Sequence, residues 1–498
     1  MQPHPNPAMK QLNLLFCTWE GGGNVAPALA LAQKLARRGH RVRFMSDACN
    51  RSDAEAFGLA FVPWAEAPSR PHRGRDTCPL RDWECTEPGD DFLRLIDGIM
   101  FRPALAYARD VLTELGREPA DLVVTSEMLP GVLAACEGIA QRCAVFTANL
   151  MFYPVDGMPA FGPGLPPPRT PEDQAMHDEV RAAGHAIFDK GLEGLNRSRV
   201  HLGLAPLDSA ADQLKSADLI LLGTAKAFDF PSHPPANLHY VGPQLAEPAW
   251  AEPWDAGKLP QDDRSLVLAG FSTTFQDHAR CLQAVIDAAA KLPVRLLVTL
   301  GDLQPGELRP AENTTLVPSA PHNAVMREAA IVVSHGGHGT VMRALLHRRP
   351  LLVMPHGRDQ NENAVRVAER GAGLSLPPGS TAEEISDALR RLLEQPSFTE
   401  KAQRLGGAIE KEMLEGKAET LLEALAAAGD AEEKGTKWSR RPGRVAPLLA
   451  SMAAVAACFL AGWQQRVSAA TPTEGLLRAK PSSAATAVHQ PARAARCN

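Results

Sequence analysis

The chain lacks most of what marks a secreted, membrane-embedded or nucleic-acid-binding protein. Its first residues, MQPHPNPAMKQ, carry no apolar stretch of the signal-peptide kind. No C-x-x-C pair occurs among nine cysteines, which stand singly at 17, 49, 78, 85, 136, 143, 281, 458 and 497. An odd number of scattered thiols in a large chain predicts reduced cysteines and a cytosolic core. There is no excess of basic residues: the net charge of -5 leaves no electrostatic footprint for nucleic acid. No fixed-period repeat is present. The stretch that comes nearest to a membrane span, residues 446–463, holds seven alanines and only three leucines. A span needs about 20 predominantly apolar residues, so its drive to insert is marginal. Basic residues lie on both sides of it, which leaves no orientation signal. We expect an appendage with no part in catalysis, with weak membrane association left open.

What is present has the balance of a globular protein, 45% hydrophobic and 22% charged. At 498 residues the chain is too long for one ordinary core, so two domains with extras are expected. Residues 12–18 (LNLLFCT) form an apolar run, followed by Gly21-Gly22-Gly23. A helix then runs from Pro27 to Arg38, ended by Gly39 at its C′ position, and residues 42–45 begin another strand. This βαβ opening implies a parallel sheet covered by helices. Residues 122–125 and 144–147 read as further strands, with a helix at 131–139 between them. Residues 153–171, dense in proline and glycine, predict a long surface loop. A helix at 178–202 and a strand at 218–222 follow. The second half restarts with strands at 265–269 and 294–300 around a helix at 279–290, and helices at 382–393 and 402–428 close it. The expected organisation is α/β: a disordered leader 1–11, a Rossmann-like domain 12–229, a Pro-rich linker 230–260, a second Rossmann-like domain 261–429, and a low-complexity tail 430–498.

The most informative stretch is 331–366, IVVSHGGHGTVMRALLHRRPLLVMPHGRDQNENAVR. Four strand residues lead into the turn His335-Gly336-Gly337-His338-Gly339-Thr340, then a helix at 341–346 and a strand at 351–354. Glycines let backbone N–H groups approach a ligand, and a helix N-terminus adds partial positive charge, so the segment is an anion site. Asp359 and Gln360 after the second strand offer an acceptor and an amide suited to hydroxyl groups. A metal is not expected, because no Cys or acid stands at ligand spacing from His335 and His338.

The run HGGxGT, then Pro350 before a strand, then Pro355, Asp359, Gln360, Asn363, Ala364 and Arg366 resembles the donor-binding motif of family 1 glycosyltransferases. This family includes the UDP-glycosyltransferases of plants and animals and bacterial macrolide-type enzymes. The resemblance implies the glycosyltransferase B architecture, in which two Rossmann-like domains face each other and the last helix returns to the first. It implies inverting transfer of a sugar from a nucleotide diphosphate-sugar, UDP- or dTDP-linked, to a hydroxyl of an apolar small molecule held by the N-terminal domain, with no metal and no bound cofactor. By resemblance His335, Gly337, Gly339 and Thr340 meet the diphosphate, and Asp359 and Gln360 hold the sugar. Ser272 and Thr273, in the turn after the first strand of the second half, lie near the phosphates. His322, in Ser319-Ala320-Pro321-His322, approaches the base.

The chain also departs from the family. Many members carry a catalytic histidine in the first loop; here the position is Asn24, which has no titratable acceptor. Glu127, beside the end of the 122–125 strand, is the expected substitute for proton removal, with Glu20 second. Arg343 replaces the glutamate with which plant members hold ribose hydroxyls, and an arginine cannot accept those bonds. Trp19, Trp64, Trp83, Phe152 and Tyr153 are candidates either for the core or for an apolar acceptor pocket. Two rival readings remain. Gly21-x-Gly23-x-x-Ala26 with Asp47 at the next strand's end has the form of a dinucleotide fingerprint, which points to an NAD(P)-dependent oxidoreductase. An inactive nucleotide-sugar-binding homologue would fit the missing histidine.

Overall fold

The strands of both halves are apolar at consecutive positions, the pattern of parallel strands buried on both faces. A computed structural model of the chain describes residues 11–428 except 86–88, 247–254, 256, 258, 260, 261, 272–277 and 302. Its first sheet contains β1 (Asn13–Cys17), β2 (Arg41–Ser46), β3 (Ala60–Pro63), β4 (Leu122–Thr125), β5 (Cys143–Thr147), β6 (Leu219–Leu222) and β7 (Leu238–Tyr240), in the order β3-β2-β1-β4-β5-β6-β7. The second contains β8 (Ser265–Gly270), β9 (Val294–Thr299), β10 (Thr314–Val317), β11 (Ala329–Ser334), β12 (Leu351–Val353) and β13 (Gly373–Ser375), in the order β10-β9-β8-β11-β12-β13. All these pairings are parallel. This is the two-domain α/β architecture expected from the sequence.

Successive residues feed the two faces of each sheet. Leu15, Cys17, Val123 and Val145 pack on one side of the first sheet, and Leu14, Phe16, Leu122 and Val124 on the other. In the second, Val267 and Ala269 oppose Leu266 and Leu268. In each sheet the strand order reverses once, between β1 and β4 and between β8 and β11. The loops that leave these strands diverge there and open a crevice at the strand ends.

Several boundaries differ from the sequence reading. The segment 230–260, expected to be a linker, contains β7, which pairs with β6 and completes the first sheet. The helix expected at 178–202 starts at Pro171, where Thr170 and Asp173 form a capping box ahead of it, and it is two helices, Pro171–Phe188 and Leu192–His201. The helix expected at 402–428 breaks at Gly416, whose φ of +57 ends Pro396–Leu414 before Lys417–Ala427 begins. Of the leader 1–11 only Gln11 is described, its amide bonded to the Gly39 carbonyl at 3.0 Å. The tail 430–498, with the segment 446–463, lies outside the described residues. Among the described residues no helix is long and apolar enough to cross a membrane, and the seven cysteines are all free thiols.

The break at Gly416 lets the final helix leave the second domain. Ala418, Leu422 and Ala426 enter the first domain's core beside Leu14, Leu122 and Val124. Glu423 takes a two-pronged bond from Arg38, at 2.6 and 2.7 Å, and contacts His40 Nε2 at 2.9 Å. The 261–429 boundary drawn for the second domain therefore splits a shared structure, because this helix buries its apolar face on the first. We predict that Leu422→Ala, at a fully buried position, costs about 2–5 kcal/mol by denaturant unfolding. Leu414→Ala, 76% exposed at the end of the preceding helix, should cost under about 0.5 kcal/mol.

Candidate active site

At the second reversal, β11 ends at Ser334 and the chain turns through His335, Gly336 and Gly337 into the helix His338–Leu346. The turn is shorter than the sequence suggested, so Gly339 and Thr340 stand inside the helix's first turn. Gly336 has a φ of +95, and a Cβ there would meet Val353 at 2.7 Å. At Gly337 a Cβ would strike the His335 ring at 2.7 Å. Among the described residues, and apart from the helix's own backbone, nothing lies within 4 Å of where a Gly339 side chain would go, at the positive end of the helix. His335 is 9% exposed, and its Nδ1 has no hydrogen-bond partner among the described residues. Its ring lies 6.0 Å from Phe271, whose ring is also close to His278 and His356. Burial first, and then the neighbouring His278, His356 and Arg358, push the His335 pKa down to about 3. The imidazole is therefore neutral near pH 7 and offers a ring N–H, and not a resident charge, to an anion.

His322 opens the helix His322–Glu328, where a loop was expected. It lies near the end of β8, since a Cβ on Gly270 would be 3.4 Å from His322 Nε2. Ser272 and Thr273 fall outside the described residues. His338, the other histidine of the turn, bonds Asn363 Oδ1 at 2.9 Å and packs edge-on against Phe228. Arg343, at the position of the plant glutamate, donates to the Ala246 carbonyl.

Asp359 stands at the N-cap of the helix Gln360–Glu369. Its Oδ2 accepts from Asn363 Nδ2 at 3.1 Å and from Asn149 Nδ2, in the first domain, at 3.3 Å. Gln360 is buried, its Oε1 receiving the His356 amide at 2.7 Å, and its carbonyl would be 3.1 Å from a Cβ on Gly336. The same helix is tied to the Pro/Gly-rich loop of the first domain. Glu362 Oε1 accepts from the amides of Gly162 and Gly164, at 2.9 and 3.0 Å. Arg366 joins Glu362 to Asp229 beneath the Phe230 ring. The loop 153–171 is thus an anchored part of the cleft.

Across the cleft, at the first reversal, Glu127 follows β4 and is 6% exposed. Ser126 Oγ donates to its Oε2 at 3.1 Å, and Tyr153 donates to its carbonyl at 3.3 Å. Burial, aided by the charge of Asp359 and opposed by the Ser126 hydrogen bond, pushes its pKa up to about 7. Asn24 acts as a loop staple: its amide nitrogen donates to the Trp19 carbonyl at 2.8 Å and to Thr18 Oγ1 at 3.2 Å, while its oxygen accepts from Gly21. Glu20 is engaged by the Gly22 amide and by Arg73. Asp47, the acid of the dinucleotide fingerprint, accepts the Glu20 and Arg70 amides, each at 2.8 Å. Each of its oxygens holds a backbone amide within the protein, so Asp47 has a structural role in tying the first loop.

The aromatic candidates divide. Trp64 is core, edge-on to Tyr107 with its indole N–H on the Thr18 carbonyl; Trp19 is also buried, and Trp83 is covered by Arg75. Phe152 and Tyr153 pack with Phe188 directly beyond Glu127. The sequence reading missed Asn149, Arg358, His278 and His356. Arg358 was within the quoted motif, one residue before Asp359, but Asn149 is marked only by following a strand.

Two parallel-sheet α/β domains of this topology have the B architecture of glycosyltransferases, which solved structures of such enzymes share. Residues 202–413 match the family profile described as UDP-glucoronosyl and UDP-glucosyl transferase. The chain is 28% identical over 405 residues to 4'-demethylrebeccamycin synthase of Lentzea aerocolonigenes, covering 79% of this chain and 94% of that protein. It is 26% identical over 427 residues to demethyllactenocin mycarosyltransferase of Streptomyces fradiae, covering 81% and 84%. A solved calicheamicin glycosyltransferase shares the fold at 22% identity, with a TM-score of 0.63 over 85% of this chain and all of that one. The chain thus resembles the family 1 glycosyltransferases, by the family profile in its C-terminal half and by glycosyltransferase relatives along most of its length.

Two outcomes follow from the site. His335→Ala should weaken UDP or dTDP binding about 10- to 150-fold by calorimetry with the fold intact, since a hydrogen bond to a charged group contributes about 1.5–3 kcal/mol. Glu127 has a folded pKa near 7 against an ordinary glutamate value of about 4.3. Its contribution to stability is therefore fully present below about pH 4.3 and is lost as pH rises through about 7. Glu127→Gln should gain stability over the parent between pH 5 and 8, by up to about 3 kcal/mol in denaturant unfolding. A constant difference across that range would contradict the assignment.

Proposed function

We propose that the enzyme transfers a hexose-type sugar from a UDP- or dTDP-linked donor to a hydroxyl of an apolar small molecule, with inversion at the anomeric carbon. The observation that carries this reading is the cross-domain contact at Asp359, whose Oδ2 accepts from Asn149 at 3.3 Å, with the buried Glu127 on the same side within reach of its charge. In this reading His335, the Gly339 amide and the helix N-terminus receive the diphosphate as it leaves. Asp359 and Gln360 hold the sugar hydroxyls, and Asn149 keeps Asp359 oriented toward the first domain. Glu127, in the role that a histidine at the position of Asn24 fills in many relatives, removes the acceptor proton as the acceptor oxygen attacks from the face opposite the departing diphosphate. Phe152 and Tyr153 supply an apolar wall beside that base, which suits acceptors of the natural-product kind. Arg343 cannot accept hydrogen bonds from a ribose, so a deoxyribose donor is accommodated as readily as a uridine one.

The test is turnover with UDP- and dTDP-glucose against a panel of phenolic, polyketide and carotenoid alcohols, with the product anomer read by NMR. A β-glucoside from the α-linked donor is the expected product. Glu127→Gln should lower turnover at least about 100-fold, within the range of general-base assistance, and leave nucleoside diphosphate affinity unchanged. The parent's kcat/KM for the acceptor should rise with pH through about 7, because the base acts when deprotonated. A Glu127→Gln enzyme at full speed removes this carboxylate from the mechanism.

A further inference from the structure

Between β12 and the helix Gln360–Glu369 the chain passes through Gly357, at φ +143, and Arg358, at φ +55. Left-handed backbone is uncommon for a residue with a side chain, and such strain gathers at ligand sites and switches. Only four non-glycine residues among those described have a positive φ, and two of them meet here. Arg358 pairs with Asp82 of the first domain, and Arg81, immediately before Asp82, has φ +49. Two strained turns, one from each domain, thus place a cation and an anion against each other across the cleft. The pair is mostly buried, with side-chain exposures of 27% for Arg358 and 14% for Asp82. Asp82 uses only Oδ2 in this contact; its Oδ1 is buried without a hydrogen-bond partner among the described residues. The Arg358 charge is also felt at His335, whose Nδ1 points at no protein acceptor or donor. Arg358 therefore stands within electrostatic reach of the anion turn while held by a carboxylate of the other domain.

We propose that Arg358 is a donor-binding cation for the diphosphate and that Asp82 is its exchangeable counter-ion, which pairs with the guanidinium across the cleft until the diphosphate takes it over. The inference rests on the donor-block reading given above. The chemistry fits. A guanidinium forks onto phosphate oxygens as readily as onto a carboxylate, and a doubly charged diphosphate beside a helix N-terminus competes well with one carboxylate. The transfer also couples donor arrival to the domain contact, since the residue after Arg358 is the sugar-reading Asp359.

The test is calorimetry of the full chain with UDP and dTDP, and with uridine and thymidine as ligands lacking the diphosphate. Arg358→Ala should lose at least about tenfold in affinity for the diphosphates and nothing for the nucleosides, with Arg358→Lys recovering part of the loss. Asp82→Asn should bind the diphosphates as tightly as the parent or more tightly, because it frees the guanidinium from its competitor. A merely structural strut would make Asp82→Asn as weak as Arg358→Ala, and that outcome overturns the proposal. So does Arg358→Ala binding UDP and dTDP like the parent while His335→Ala binds them weakly; the donor reading then stands and this inference alone fails. A parent that binds no nucleoside diphosphate removes both.

Discussion

A parallel sheet covered on both faces leaves polar chemistry only one place to go, the ends of its strands. In this chain that constraint decides the site. Consecutive apolar residues in β1, β4, β8 and β11 fill the cores on either side, so the first free positions are Thr18 to Asn24, Ser126 and Glu127, Phe271, and His335 to Gly337. Each set follows a strand at which its sheet reverses order. The two reversals set a glycine turn at a helix N-terminus on one domain and a buried carboxyl on the other, the parts on which the proposed group transfer draws.

The two halves are joined by exchange of buried elements as well as by contact at the cleft. Phe228, from the first half of the chain, lies in the second domain's core, while Leu422 and Ala426 lie in the first. The buried network of Asp229, Arg366 and Glu362 joins the helix Gln360–Glu369 to the loop at Gly162 and Gly164. Removing one member of such a network strands a charge away from water, which is far costlier than losing a surface pair.

Much of this was legible in the sequence where residue type and spacing report on local physics. The apolar runs gave β1, β2, β4, β5, β6, β8, β9, β11 and β12 to within a few residues, and the glycine turn was placed at the end of β11, where the structure has it. Glu127 was singled out because Asn24 has no titratable acceptor, and the structure places this carboxyl, buried, just after β4. What the sequence did not mark are relations set by tertiary packing. β3, β7, β10 and β13 are short strands that take their identity from a neighbour. The turn at Gly416 was hidden inside an otherwise helical pattern. Glu20 and Asp47 read as free carboxylates, and only the fold shows them engaged by Gly22, Arg73 and backbone amides. Asn149 and Asp82 act through partners some 200 to 280 positions away, a distance across which no single-sequence pattern reports.

The central claim is that the anion turn after β11, and not the glycine loop after β1, receives the donor. A crystal structure with UDP or dTDP bound tests it most directly. The account predicts the diphosphate against the His335 ring and the Gly339 amide, with the sugar-side phosphate directed toward Asp359. A diphosphate cradled by Gly21, Gly22 and Gly23, with its ribose beside Asp47, would contradict it.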